Sequence, residues 1–173
     1  NITITPSKNH YSFSPASINI NQISANQNAQ NFSATPANYT VTVTVTDQGS
    51  PLSNATVIYN GNTGLTNING IFTFTLPYNN SCSVSVSKSG YFFVQNEQVI
   101  AGIDQDLNLS FLTRAPIIYT ISGNVSLNGN AQANVEIIHD NGSVFTDASG
   151  NYSISGTEGT TVNLTPQLTG YIF

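Results

Sequence analysis

One phrase in this chain recurs at a fixed distance, and that recurrence limits the fold more than any other feature. "TPSKNHYSF" (residues 5–13), "SVSKSGYFF" (85–93) and "TPQLTGYIF" (165–173) place Tyr11, Tyr91 and Tyr171 80 residues apart, and Phe13, Phe93 and Phe173 keep the same step. A fixed internal period marks a repeat architecture, in which each copy is one structural unit. The match extends well beyond the phrase. Tyr39 and Thr40 align with Tyr119 and Thr120, and Asn54 with Asn134. "TNINGIFTFT" (66–75) aligns with "TDASGNYSIS" (146–155) without a gap, so Gly70 meets Gly150 and Phe72 meets Tyr152.

The local pattern is that of strands. In "YTVTVTVT" (39–46), Val41, Val43 and Val45 fall on one face and the threonines on the other, the alternation of a half-buried strand. No segment shows a sustained helical period, so the chain is expected to be all-β. In the middle copy, strands are expected near 39–46, 55–59, 64–66, 70–76, 82–87, 94–100 and 106–112. The connections "DQGSPL", "NING", "DASG" and "PYNNS" supply the Gly, Pro, Asn and Asp that tight turns need. Short strands at this spacing imply a two-layer sandwich in tandem copies.

The period divides the chain into residues 1–35, the closing strands of a preceding repeat or a donor segment; 36–115, a complete repeat; and 116–173, a repeat lacking its last strands. Tyr11, Phe13, Tyr91, Phe93, Tyr171 and Phe173 are expected to pack as core or corner pairs, since residues two apart share a strand face. Two arrangements would complete a split repeat: covalent neighbours in a longer array, or strand donation from an identical copy. The covalent array accounts for the duplicated phrase (1–13 against 161–173) without displacing either version.

Charge excludes several functions. Only 6% of residues are charged, with Lys8, Lys88 and Arg114 the only Lys or Arg and a net charge of −5, so no surface exists to neutralise nucleic-acid phosphates. No apolar run approaches the roughly 20 residues of a membrane span, and no secretion signal opens the chain, as expected of a mature chain or an internal piece.

Catalytic and metal chemistry find little to work with. His10 aligns with Gly90 and Gly170 and reads as a solvated turn residue, while His139 aligns with Tyr59 and reads as a strand residue. No nucleophile–base or phosphate-loop motif occurs, so neither an enzyme nor a cofactor is expected. Asp104, Asp106 and Glu97 are a weak Ca²⁺ candidate that falls short of the six to eight oxygen ligands such an ion takes. The first strands, 39–46 and 119–126, contain no lysine to form an intramolecular isopeptide bond. Cys82 aligns with Ile2 and Val162 and reads as a buried small hydrophobe. Asn-x-Ser/Thr triplets begin at Asn1, Asn31, Asn38, Asn54, Asn79, Asn108, Asn124, Asn141, Asn151 and Asn163, all candidate glycan acceptors.

The series "YTISGNVSLNGNAQANVEIIHDNGSVFTDASGNYSISG…VNLTPQLTGYIF" resembles the carboxypeptidase regulatory-like, or prealbumin-like, Ig-like repeat of bacterial surface and secreted proteins. The resemblance rests on "ISGNV", the "TDASGNYSIS" turn and the closing "GY". The middle copy departs from it with "VTVTV" and "TNING". The resemblance implies a β-sandwich spacer strung in tandem outside the cell, hence an extracellular stalk or filament whose copies contact one another head to tail. The competing expectation is an adhesion module that binds carbohydrate through Tyr59, Tyr78 and Phe92.

Overall fold

The computed structural model describes residues 1–170, and the chain forms two compact units, Asn1–Arg114 and Ala115–Phe173. Every regular element among the described residues is a strand, so the chain is all-β. Tyr171 and Phe173 lie outside the described residues.

The first unit opens with four short strands: β1 (Ile2–Ile4), β2 (Tyr11–Ser14), β3 (Ile18–Ile20) and β4 (Ser33–Pro36). They pair only among themselves, β1 with β3 and β2 with β4. The rest of the unit comprises β5 (Asn38–Asp47), β6 (Ser50–Pro51), β7 (Thr56–Tyr59), β8 (Asn62–Leu65), β9 (Ile71–Pro77), β10 (Cys82–Ser87), β11 (Phe92–Phe93), β12 (Glu97–Ile100) and β13 (Leu107–Arg114). One sheet runs β11-β13-β5 with β9 and β6 also on β5; the other runs β12-β10-β7-β8. Val41, Val43 and Val45 of β5, Phe74 and Leu76 of β9 and Phe111 of β13 share one buried cluster with Val57 of β7 and Val84 and Val86 of β10, so the two sheets enclose a single core. β-branched residues suit this pleated, two-sided packing. Strand β5 is central, antiparallel to β9 and parallel to β13.

The strand expected over 94–100 is shorter, Glu97–Ile100, and an unexpected two-residue strand precedes it. Phe92–Phe93 pairs with β13 in one sheet and Glu97–Ile100 with β10 in the other, and Val94 between them is 68% exposed. The chain crosses between layers there, a step that alternation alone does not reveal.

The second unit contains β14 (Ile118–Asn124), β15 (Ser126–Leu127), β16 (Asn130–Ala131), β17 (Glu136–His139), β18 (Gly142–Phe145), β19 (Asn151–Thr157) and β20 (Leu164–Gln167). Its pairings are those of the first unit moved by 80 residues. Val41↔Phe74 becomes Ile121↔Ile154, Thr56↔Leu65 becomes Glu136↔Phe145, and Val84↔Tyr59 becomes Leu164↔His139. The opening strands obey the same step: Ile2↔Ile20 in β1–β3 corresponds to Cys82↔Ile100 in β10–β12. The β2–β4 pairing is offset by one residue, since Phe13 faces Ala34 where Phe93 faces Thr113.

Two local devices hold these registers. Gly70 and Gly150 adopt φ of +71° and +75°, and a Cβ on either would lie 2.4 Å from the carbonyl oxygen of Val45 or Val125. Only glycine fits that close approach. Beside them, Thr66 and Thr146 are the buried polar side chains among the described residues. The Thr66 hydroxyl accepts from the Ala55 N–H at 2.9 Å and donates to the Leu52 carbonyl at 2.7 Å; Thr146 does the same with Val135 and Gln132.

Candidate assembly surface

The second unit carries counterparts of β5 to β10 but, among the described residues, no strand in the places of β11, β12 and β13. One edge of β14 and one edge of β20 are therefore without a strand partner there. The consequence is legible residue by residue. Val41, Val43 and Val45 are wholly buried, whereas their counterparts Ile121, Gly123 and Val125 are half-buried. Tyr39 is half-buried and packs on the core, whereas its counterpart Tyr119 is 52% exposed.

Two clefts open on this unit. The first, about 340 Å³, is lined by Val125, Ile137, Tyr152, Leu164 and Pro166 with Asn124 and Ser126. Its apolar lining matches Val45, Val57, Phe72, Val84 and Val86, residues that share the first unit's core with Phe111. The second, about 260 Å³, is bounded by His139, Gly156, Thr160 and Val162 among others. Apolar side chains lining such a cleft lack the packing neighbours that their counterparts have in the first unit.

The opening strands meet the first sandwich through an aromatic cluster that the sequence did not disclose. His10 stacks on Tyr78, with ring centroids 4.3 Å apart, and its Nδ1 lies 2.6 Å from the Tyr39 hydroxyl. Tyr11 meets Tyr78 edge-on, and the Lys8 ammonium sits 4.2 Å from the centre of the Tyr11 ring. His10 occupies a turn with φ of +65°, as its alignment with glycines implies, but it is half-buried and partnered rather than solvated. His139 lies at the end of β17, as a strand residue.

The repeated Tyr–Phe pairs divide in their roles. Tyr11 and Phe13 are half-buried on β2, and Phe93 packs on the core. Tyr91 instead precedes β11, is 37% exposed and lies under the Lys88 ammonium at 5.1 Å, so it is a capped surface ring rather than a core residue.

The Ca²⁺ candidate is not assembled. Asp106 accepts a hydrogen bond from the Thr40 N–H at 2.7 Å and Glu97 accepts one from the Ser83 hydroxyl; no group of three or more His, Cys, Asp or Glu among the described residues is placed to hold a metal. Cys82 is buried at the start of β10, and burial pushes its thiol pKa up, so it stays a neutral thiol. The three aromatics proposed for carbohydrate do not form one platform: Tyr59 stacks on Phe74 at 4.2 Å, Tyr78 is faced by His10, and Phe92 lies 5.4 Å from the Arg114 guanidinium. All ten Asn-x-Ser/Thr asparagines, from Asn1 to Asn163, are exposed.

No protein-family profile matches the chain. It is 33% identical over 131 residues to part of the chitinase ChiA of Flavobacterium johnsoniae, a match that covers 72% of this chain and 8% of that protein. The chain thus spans less than a tenth of that relative. Among solved structures it is similar to the Bacillus anthracis TIE protein (TM-score 0.43, 16% identity, 82% of this chain and 32% of that one). It is also similar to a streptococcal ancillary pilin (TM-score 0.42, 14% identity, 79% and 56%).

Proposed function

We propose that this chain is a structural segment of an extracellular filament or cell-surface stalk, built from tandem prealbumin-like β-sandwiches with an 80-residue period. The observation that carries the reading is the recurrence of whole strand registers 80 residues apart, Val41↔Phe74 as Ile121↔Ile154 and Thr56↔Leu65 as Glu136↔Phe145. Such units propagate along one axis and contact mainly their neighbours. The scarcity of charge and the ten exposed Asn-x-Ser/Thr sites suit a glycan-tolerant exterior.

Two measurements test it. Antibody raised against the segment should label filaments on intact, unpermeabilised cells; labelling only after permeabilisation would sink the reading. The mass of the natural chain under denaturing conditions should lie far above 18.4 kDa for a covalent array, or near it for separate subunits. Steps of a hexose mass would register glycans.

A second reading is favoured by one observation, the likeness to a stretch of a chitinase. On it the chain is a carbohydrate-binding accessory module. Saturable retention of the folded chain on insoluble chitin, competed by soluble chitin oligosaccharides, would support it over the structural role.

A further inference from the structure

We propose that Asn60 and Asn128 are sites of self-modification, where the nitrogen of the following glycine displaces ammonia from the asparagine side chain and water then leaves a carboxyl group. Asn69 and Asn141, which also precede glycine, are held intact by their turns. Neither site depends on the filament reading.

The chain holds four Asn–Gly pairs, at 60–61, 69–70, 128–129 and 141–142, and all four asparagines are exposed. The chemistry needs no partner but water. The glycine nitrogen gives up its proton and bonds to the asparagine Cγ. The Cγ–Nδ2 bond breaks, and that nitrogen takes up the proton and leaves as ammonia. Water then opens the cyclic imide. Breaking the new N–Cγ bond gives an aspartyl residue; breaking the original peptide bond gives an isoaspartyl residue, with an extra methylene in the main chain. A Cβ beside the attacking nitrogen would crowd this ring, and glycine has none.

What separates the four pairs is the attacking N–H. Asn60 (φ +46°) and Gly61 (φ +75°) are the central residues of the hairpin loop closed by Tyr59 and Asn62. Asn128 (φ +49°) and Gly129 (φ +81°) hold the same places in the loop closed by Leu127 and Asn130. In such a loop the closing pair takes the ladder hydrogen bonds, and the N–H of the second central residue is left to solvent. Gly70 differs. It is buried, its N–H donates to the Asn67 carbonyl at 2.9 Å, and its Cα is pressed against the Val45 carbonyl, so its backbone cannot swing toward the Asn69 side chain. Gly142 is a ladder residue paired with His139. It is in step with Thr146, whose N–H donates to the Val135 carbonyl at 3.0 Å, so the Gly142 N–H is aimed into the β17–β18 pairing.

The repeat supplies two internal comparisons. The place of Asn60 is taken in the second unit by Asp140, whose carboxylate accepts from the Asn163 N–H at 3.0 Å, so the fold already holds the aspartyl product there. The place of Asn128 is taken in the first unit by Gln48. Gln48 (φ +48°) and Gly49 (φ +86°) repeat the loop conformation between Asp47 and Ser50, but the extra methylene of glutamine demands a larger, slower-closing ring. The isoaspartyl product, in contrast, lengthens a loop whose length sets the register of the strands it joins. Each conversion adds a negative charge to a chain of net charge −5, and the converted fraction rises with the age of the molecule.

The 173-residue chain, held folded at mildly alkaline pH in heavy-oxygen water and sampled over time, tests this by peptide mass spectrometry. Residues 60 and 128 should take up heavy oxygen as ammonia is released, faster as pH rises, while residues 48, 69 and 141 stay unchanged. In denaturant all four asparagines should react alike, because the sorting lies in the turns. Asn128→Gln keeps the loop that Gln48 already adopts and should end uptake in its peptide. The proposal is overturned if Asn60 or Asn128 converts in the folded chain no faster than Asn69, Asn141 and Gln48. Uptake that persists in Asn128→Gln, or the same ranking of the four asparagines in denaturant, overturns it as well.

Discussion

The imidazole of His10 lies flat on the ring of Tyr78, with centroids 4.3 Å apart and planes within 7° of parallel, while its Nδ1 meets the Tyr39 hydroxyl. This cluster, with the Ala37 N–H donating to the His10 carbonyl at 2.7 Å, ties the four opening strands to the first sandwich. Tyr39→Phe should cost about 0.5–1.5 kcal/mol, the usual net worth of one hydrogen bond. Tyr78→Ala should cost more, because it removes two ring contacts as well as buried area. Hydrogen exchange would locate the loss in residues 1–36, leaving 41–45 protected. His10→Gly should be milder than Tyr78→Ala, since glycine relieves the positive φ that histidine holds here.

Thr66 and Thr146 make one shared prediction. Replacing either by valine preserves shape but leaves a buried N–H and carbonyl without the hydroxyl between them, at about 1–3 kcal/mol. Because the two residues serve different units, Thr66→Val should lower the unfolding transition of the first unit and Thr146→Val that of the second. Serine at either position should restore most of the loss. Thermal unfolding of each variant followed by unit-resolved hydrogen exchange checks the assignment.

A glycine exchange separates the two sandwiches. In the first unit the Phe72 ring lies over Gly64, where a Cβ would sit 2.2 Å from it; in the second the Tyr152 side chain lies over Gly123, where a Cβ would sit 2.5 Å from its hydroxyl and 2.7 Å from its ring. The counterparts are Val144 and Val43, so each unit keeps its glycine only where its aromatic leans. Gly123→Val should drive the Tyr152 ring off β14 and destabilise the second unit by about 1–3 kcal/mol, the usual cost of overpacking. Val43→Gly should open a void instead, and pairing Val43→Gly with Gly64→Val should recover part of it. Denaturant midpoints of the single and double variants decide the matter.

Acid should loosen the second unit selectively. The Asp140 carboxyl is held below the usual carboxylate range first by the Asn163 backbone N–H and then by its side chain, and Asp147 chiefly by the Asn151 N–H. A depressed folded pKa stabilises at pH above the unfolded value, near 3.9, and that stability is lost as pH falls through the folded one. The counterparts in the first unit are Asn60 and Asn67, which do not titrate. Below about pH 4, exchange protection should therefore fall around Asp147 and Asn163 while the turn at Asn67 is unaffected. Asp147→Asn should abolish the pH dependence around residue 147, leave that at Asn163, and keep the turn, because Asn67 already makes the same two bonds to residues 69 and 71.

Much of the fold was legible because the repeat wrote it twice. The alternation in 39–46 marked β5, and "NING" and "DASG" placed the turns whose glycines cannot be replaced. The parallel pairing of β5 with β13 was not legible, since alternation gives a face but not a neighbour. The layer change after Phe93 was hidden because Val94 continues an apolar pattern while pointing outward. The His10 cluster escaped because it unites residues 29 to 68 positions apart and breaks the repeat. The one available signal was a histidine aligned with two glycines, a position that demands left-handed backbone. The lining of the second unit's clefts was not legible either, since it depended on knowing which residues oppose Phe111.

The parallel ladder between β5 and β13 has a mechanical meaning. Its register joins Val41 to Leu107 and runs through to Thr46 and Leu112. Traction on the two ends of residues 38–114 would draw these neighbouring strands lengthwise past each other. Their hydrogen bonds would then bear load together instead of peeling one at a time. A sandwich wired this way meets stretching along its axis with a whole ladder at once, so its mechanical strength is set by the β5–β13 register and not by its overall stability alone.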